Sequence, residues 1–229
     1  MSVVYLVRHG QASLRSSNYD QLSEKGILQA QMLGKSFRTR VEEIERFESG
    51  SLQRHAQTMA AFKEKYRTIA SVSVHDGWNE YDHKDIIKQY NSKYDSRLYF
   101  TFDIVRKLNP KREFLNIFNA AVNRWMSGEF DAEYKESWTA FQTRTNKALH
   151  DLLAKLNEEE VAIVFTSGGV KSAIIQRLMD LTDDHFMRFN TQLVNSGVTK
   201  IISTKNRTFV STINDYSHLE LKRDFITYI

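Results

Sequence analysis

The chain opens on an apolar, β-branched run, Val3-Val4-Tyr5-Leu6-Val7, that stops at Arg8-His9-Gly10. A run of this length without alternation is the pattern of a central strand covered on both faces, so the strand is predicted to deliver Arg8 and His9 to the loop at its end. A polar stretch from Ala12 to Asp20 follows. Ile27, Leu28, Met32, Leu33 and Phe37 then recur at roughly helical spacing behind Ser23, a candidate N-cap. A weak strand pattern lies at Glu45 to Glu48, and Ser51 is placed to cap a helix from Leu52 to about Tyr66 that carries Arg54 in its first turn. A third strand is expected at Ser71 to His75, before the turn Asp76-Gly77 and Trp78-Asn79-Glu80.

Between residues 81 and 137 the rhythm becomes helical, with Asn109-Pro110 suited to a helix start. Another long helix is expected from Ser137 to Leu156. Alternation then resumes: the apolar run Val161 to Phe165 ends in Thr166-Ser167-Gly168-Gly169, and an amphipathic helix from Val170 to Leu181 follows. Two last strands, Val198 to Ser203 and Thr208 to Ile213, are joined through Lys205-Asn206-Arg207. The pattern predicts a single α/β domain over residues 1–229, a three-layer doubly wound and mostly parallel sheet, with residues 81–137 as a helical insertion that caps a pocket and chooses the substrate. Tyr90, Tyr94, Tyr99, Phe100 and Phe102 read as the core of that helical layer, with an apolar pocket lining as the alternative.

Composition narrows the function classes. At 229 residues, 41% hydrophobic and 26% charged, the chain has the make-up of a globular protein with a proper core. Its formal charge of +4 is spread along the chain without long runs of one sign, which argues against a nucleic-acid partner. The absence of cysteine removes disulfides, thiolate nucleophiles and cysteine-based zinc sites. The apolar start is shorter than a signal-peptide core or a membrane span, so no membrane association and a cytoplasmic address are expected. The seven histidines show no metal-ligand spacing, and no cofactor is implied.

In open parallel sheets, ligands bind outside the carboxyl ends of the strands. Four features are expected there: Arg8-His9-Gly10, Arg54, Glu80 and Ser167-Gly168-Gly169. Two guanidinium forks match phosphate oxygens, amides opening the helix at Gly168 and Gly169 add anion donors, a neutral imidazole can attack phosphorus near pH 7, and a carboxyl group can protonate a leaving oxygen. Taken singly, each has a plainer reading as a surface pair, a first-turn arginine, a solvated carboxylate or a packing glycine. Together they suggest phosphoryl transfer. No Gly-x-Gly-x-x-Gly fingerprint follows the first strand, which argues against a nucleotide-binding module.

The motifs Val3-Val4-Tyr5-Leu6-Val7-Arg8-His9-Gly10-Gln11, Tyr19 to Gly26 with Gln29-Ala30, Ser49 to Thr58, and Trp78-Asn79-Glu80 resemble those of the histidine phosphatase (phosphoglycerate mutase-like) superfamily, in that order. Glu136-Ser137 with Arg144, and Asn214 through Leu219, resemble its structural blocks. The resemblance implies His9 as nucleophile, its other ring nitrogen donating to the Gly10 carbonyl, Arg8 and Arg54 gripping the phosphoryl group, Glu80 as proton donor, and Gln11, Ser167 and Gly168 as substrate contacts. It implies a phosphatase acting on a small phosphomonoester or a phosphoprotein, and a mutase fits less well. The chain departs from the pattern at Ser167, where the family usually carries a second histidine. A neutral hydroxyl there would cost on the order of 100- to 1000-fold in rate, which leaves open a pseudoenzyme that binds a phosphorylated partner without turnover. Of the other histidines, His55 is expected to point away from the pocket, and His83, three residues after Glu80, is the preferred substitute.

Overall fold

The computed structural model describes residues 1–13 and 20–228, so residues 14–19, within the polar loop and the start of the second motif, lie outside the described residues. Six strands form one sheet: β1 (Ser2–Arg8), β2 (Arg46–Ser49), β3 (Val72–Val74), β4 (Val161–Thr166), β5 (Val198–Ser203) and β6 (Thr208–Asp215), in the order β3-β2-β4-β1-β5-β6. The pairs β2–β3, β2–β4 and β1–β4 are parallel, while β5 runs antiparallel to both β1 and β6. The register pairs Val7 with Phe165 and Arg8 with Thr166, so β1 and β4 end level with one another. That alignment brings the two loops of interest to one edge.

Eight α-helices occur among the described residues: α1 (Glu24–Arg40), α2 (Gln53–Tyr66), α3 (His83–Tyr90), α4 (Arg97–Val105), α5 (Pro110–Met126), α6 (Trp138–Leu153), α7 (Gly168–Leu178) and α8 (Asp184–Gln192). The expected helices are present with ends shifted by one to three residues, and α8 is an addition to the expected set. α8 spans only nine residues, too short for its apolar spacing to stand out from the loops around it, and only Phe186 of that helix is buried.

The chain divides into two compact units, residues 1–80 with 145–229, and residues 81–144. In the first, period-2 alternation sorts the strands. Val7, Phe47, Ile163 and Phe165 pack with Leu33 and Phe37 of α1 and Phe62 of α2 in one core cluster. Val4, Leu6, Ala162 and Val164 occupy the alternate positions, also buried, which is why these strands are apolar throughout. Ser23 caps α1 by accepting the Gly26 amide at 3.1 Å, as its position predicts.

In the second unit, Tyr81, Trp125, Trp138 and Phe141 form the aromatic core, with Trp125 and Trp138 centroids 5.1 Å apart. The bidentate Arg144–Glu136 pair, at 2.7 and 2.9 Å, closes it. The assignment of Tyr90, Tyr99 and Phe102 to a core is corrected: all three are exposed. α4 carries apolar residues on most of its circumference, and so short a helix cannot bury them all.

Candidate active site

The site is built at the level ends of β1 and β4. His9 leaves β1 with its amide donating to the Thr166 carbonyl at 2.8 Å, and its own carbonyl accepts from Ser196 N at 3.2 Å and Asn195 Nδ2 at 3.3 Å. The side chain is equally constrained: Nδ1 lies 2.8 Å from the Gly10 carbonyl oxygen. A carbonyl only accepts, so Nδ1 carries the proton and Nε2 is the basic nitrogen. Burial, followed by the charges of Arg54 and Arg8, holds this imidazole well below its ordinary pKa and therefore neutral. Gly10 is fixed by contact: a Cβ there would fall 2.3 Å from the Gly26 carbonyl oxygen, and a Cβ on Gly26 would fall 2.3 Å from that of Gln11. The loop after β1 and the first turn of α1 touch backbone to backbone.

Both arginines are nearly buried and tethered. Arg8 donates through Nη1 to the Leu193 carbonyl, and the loop around Leu193 is held by Asn214, which accepts the Val194 amide at 2.8 Å and donates to the Gln192 carbonyl at 3.0 Å. The guanidinium of Arg8 lies beside Gly168, where a Cβ would stand 3.4 Å from its Cζ. Arg54, in the first turn of α2, pairs with Asp20 at 2.7 Å. The α2 turn is tied to the loop after β1 by Thr58, which accepts the Gly10 amide at 3.0 Å and donates to the Arg54 carbonyl at 2.6 Å.

Glu80 reaches the same edge. Its Oε2 accepts the Gly169 amide at 3.0 Å, so the helix N-terminus expected to present amides to an anion presents one of them to this carboxylate. The segment that carries Glu80 is anchored beneath by a buried chain of bonds, Trp78 Nε1 to Glu48 at 2.6 Å and Thr166 Oγ1 to the Trp78 carbonyl at 2.6 Å. Gln11 turns instead to α1, its Oε1 accepting from Ser23 Oγ at 3.0 Å. His83 opens α3 in the second unit.

The expectation for His55 is corrected. Its ring is buried beside His9, with centroids 5.8 Å apart, and its Nε2 lies 2.6 Å from Ser167 Oγ. A first-turn position directly after Arg54, which is expected at the same strand edge, is the signal that could have found it. A second residue escaped sequence reading: Lys171 is fully buried on α7 and donates to the Gly197 carbonyl at 2.6 Å, while burial and then the charge of Arg8 hold its ammonium well below the usual lysine range. Among the described residues no cluster of three or more metal-ligating side chains occurs, and no helix is long and apolar enough to cross a membrane.

The family model of the histidine phosphatase superfamily (branch 1) matches residues 4–98 and 108–216. The chain belongs to the histidine phosphatase superfamily. Solved structures similar to this superfamily member include a phosphoglycerate mutase from Bacillus anthracis, at 16% identity and a TM-score of 0.66 over 95% of each chain. A phosphoserine phosphatase from Entamoeba histolytica, solved as a mutant with phosphoserine, aligns at 17% identity and a TM-score of 0.63 over 96% of this chain and all of that one. A mycobacterial glucosyl-3-phosphoglycerate phosphatase, solved with inorganic phosphate, aligns at 18% identity and a TM-score of 0.65 over 94% of this chain and 98% of that one. These likenesses establish the phosphoglycerate mutase-like α/β fold. No curated protein matches the chain in sequence.

Proposed function

We propose that this superfamily member is a phosphatase that hydrolyses a phosphomonoester through a phosphohistidine on His9. The observation that carries the reading is the state of that imidazole: neutral, its Nδ1 proton committed to the Gly10 carbonyl 2.8 Å away, and under the field of two guanidinium groups. In the first step Nε2 bonds to phosphorus, the ester P–O bond breaks, and Glu80 gives a proton to the departing oxygen. In the second, Glu80 takes a proton from water as that water attacks phosphorus, and the P–N bond breaks to release orthophosphate. Arg8 and Arg54 hold the phosphoryl oxygens throughout, a role suited to fixed cations whose own partners keep them in place.

A mutase must keep its phosphoryl group for the return transfer, and the hydroxyl of Ser167 in the place of the family's usual second imidazole favours hydrolysis. The substrate class is a small phosphorylated molecule, in keeping with what the phosphatase relatives are named for. Rapid quenching of the protein with a radiolabelled aryl phosphate tests the reading: an acid-labile, alkali-stable phosphoenzyme is expected in the parent and none in His9→Ala. Tight orthophosphate binding with neither phosphoenzyme nor turnover would sink hydrolysis and leave a protein that only binds phosphorylated ligands.

A further inference from the structure

The end of β4 carries a hydroxyl, yet an imidazole stands beside it, delivered by another element. His55 projects from the first turn of α2, its ring buried 5.8 Å from that of His9 and its Nε2 2.6 Å from Ser167 Oγ. Ser167 occupies the N-cap position of α7 but makes no capping bond. A serine in that position ordinarily lends its oxygen to the helix amides; here it is turned to His55. Gly50 makes the room, because a Cβ there would fall 2.3 Å from His55 Nδ1. Residues on three segments thus accommodate one ring.

A count of hydrogen-bond groups fixes the resting arrangement. His55 Nδ1 is buried with no partner. If the Ser167 hydroxyl donates to Nε2, the single group left unpaired is the Nδ1 hydrogen. If Nε2–H donates to the hydroxyl instead, both the Nδ1 lone pair and the serine hydrogen are left over, so the first arrangement holds before a ligand binds.

We propose that His55 serves the phosphoryl pocket through Ser167. When a phosphoryl group sits beside His9, the Ser167 hydroxyl turns its hydrogen to a phosphoryl oxygen, and His55, taking a proton from solvent at Nε2, donates that N–H to Ser167 Oγ. The proposal rests on the phosphohistidine reading above. His55 is accordingly a positioning residue that becomes a cation only while the phosphoryl group is bound. The titratable and charged groups that face it are Arg54 on its own helix and His9 at the end of β1. Burial first, and Arg54 second, hold the ring neutral beforehand; the negative charge of a bound phosphoryl group acts in the opposite sense.

The test uses the whole chain with nitrogen-15 histidine and orthovanadate or orthophosphate as the probe. Saturation is expected to move the His55 Nε2 resonance from the unprotonated to the N–H type, while His9 also responds. In parallel, His55→Ala and Ser167→Ala are each expected to lower kcat on an aryl phosphate by about 10- to 100-fold, and the double variant by no more than the worse single one. Combining His55→Ala with Ser167→His is expected to recover at least about 10-fold over His55→Ala, which a purely structural role would not produce. A His55 Nε2 signal that stays put while His9 responds overturns the proposal, as do additive losses in the variants. Silence of both rings, together with no turnover in the parent, overturns the phosphohistidine reading as well and so separates the two failures.

Discussion

The ends of β1 and β4 invite comparison because they are hydrogen-bonded neighbours in one parallel register, Arg8 opposite Thr166. At the end of β1 the chemistry is written consecutively: a cation, an imidazole and the glycine carbonyl that orients it follow one another in sequence. At the end of β4 it is assembled from distant parts, since Ser167 follows the strand, His55 comes from α2, Gly50 clears the space and Glu80 fastens to the Gly169 amide. Two adjacent strand ends can therefore present imidazoles to one place while only one of them encodes its own. The number of imidazoles at a site is a property of the packed structure, and a strand-end motif reports only the part that is local.

The largest expected effect concerns what the two ends share. Arg54 lies one residue before His55 and also stands among the charges acting on His9, so Arg54→Ala should lower kcat/KM on an aryl phosphate by about 100- to 1000-fold. Arg54→Lys should restore only part of it, because an ammonium lacks the fork. Equal activity of the lysine variant and the parent would show that Arg54 supplies charge without geometry.

Gly50→Ala sharpens the comparison next. The added methyl collides with His55 Nδ1 and Asn79 Oδ1, at 2.3 and 2.6 Å from the ideal Cβ, neither of them in the loop after β1. Turnover should drop by about 10-fold, with the His9 ring signal unchanged in nitrogen-15 spectra. A variant as active as the parent would mean that the ring of His55 is free to shift without consequence.

The smallest effect separates the imidazoles by acid. His9 and His55 are held well below the ordinary histidine range, and burial lowers His218, whose Nε2 bonds Ser196 Oγ at 2.8 Å, to about 4. Below pH about 6.5 the unfolded chain takes up protons that the folded chain refuses, so stability falls as pH drops from there toward 4 and is regained as pH rises. Each such group contributes a slope of up to about 1.4 kcal/mol per pH unit. Chemical denaturation at pH 7 and pH 5 should therefore show a smaller pH difference for His218→Gln than for the parent. An unchanged difference would remove His218 from the account.

Much of this was legible from residue order. The apolar runs 3–7 and 161–165 needed no tertiary information to be read as central strands, because a strand buried on both faces leaves no place for polar residues. Arg8, His9, Arg54 and Glu80 could be placed at one edge because parallel strands joined by helices send their carboxyl ends the same way. Other features were not legible. α8 spans nine residues and buries one side chain, too short a stretch for its apolar spacing to stand out from a loop. The exposure of Tyr90, Tyr99 and Phe102 in the second unit is not legible either, because apolar composition does not reveal whether a short helix has enough surface to pack against.

The sequence by itself determined the strand ends, His9 with the Gly10 carbonyl that orients it, and the two arginines proposed to grip a phosphoryl group, since each depends on residues close together in the chain or on the rule that parallel strands end together. Only the tertiary structure decided that the serine after β4 would meet an imidazole from α2. That contact spans 112 positions of chain and hinges on a missing Cβ at Gly50. Side-chain direction on a helix is fixed by what the helix packs against, and no local pattern records the neighbour.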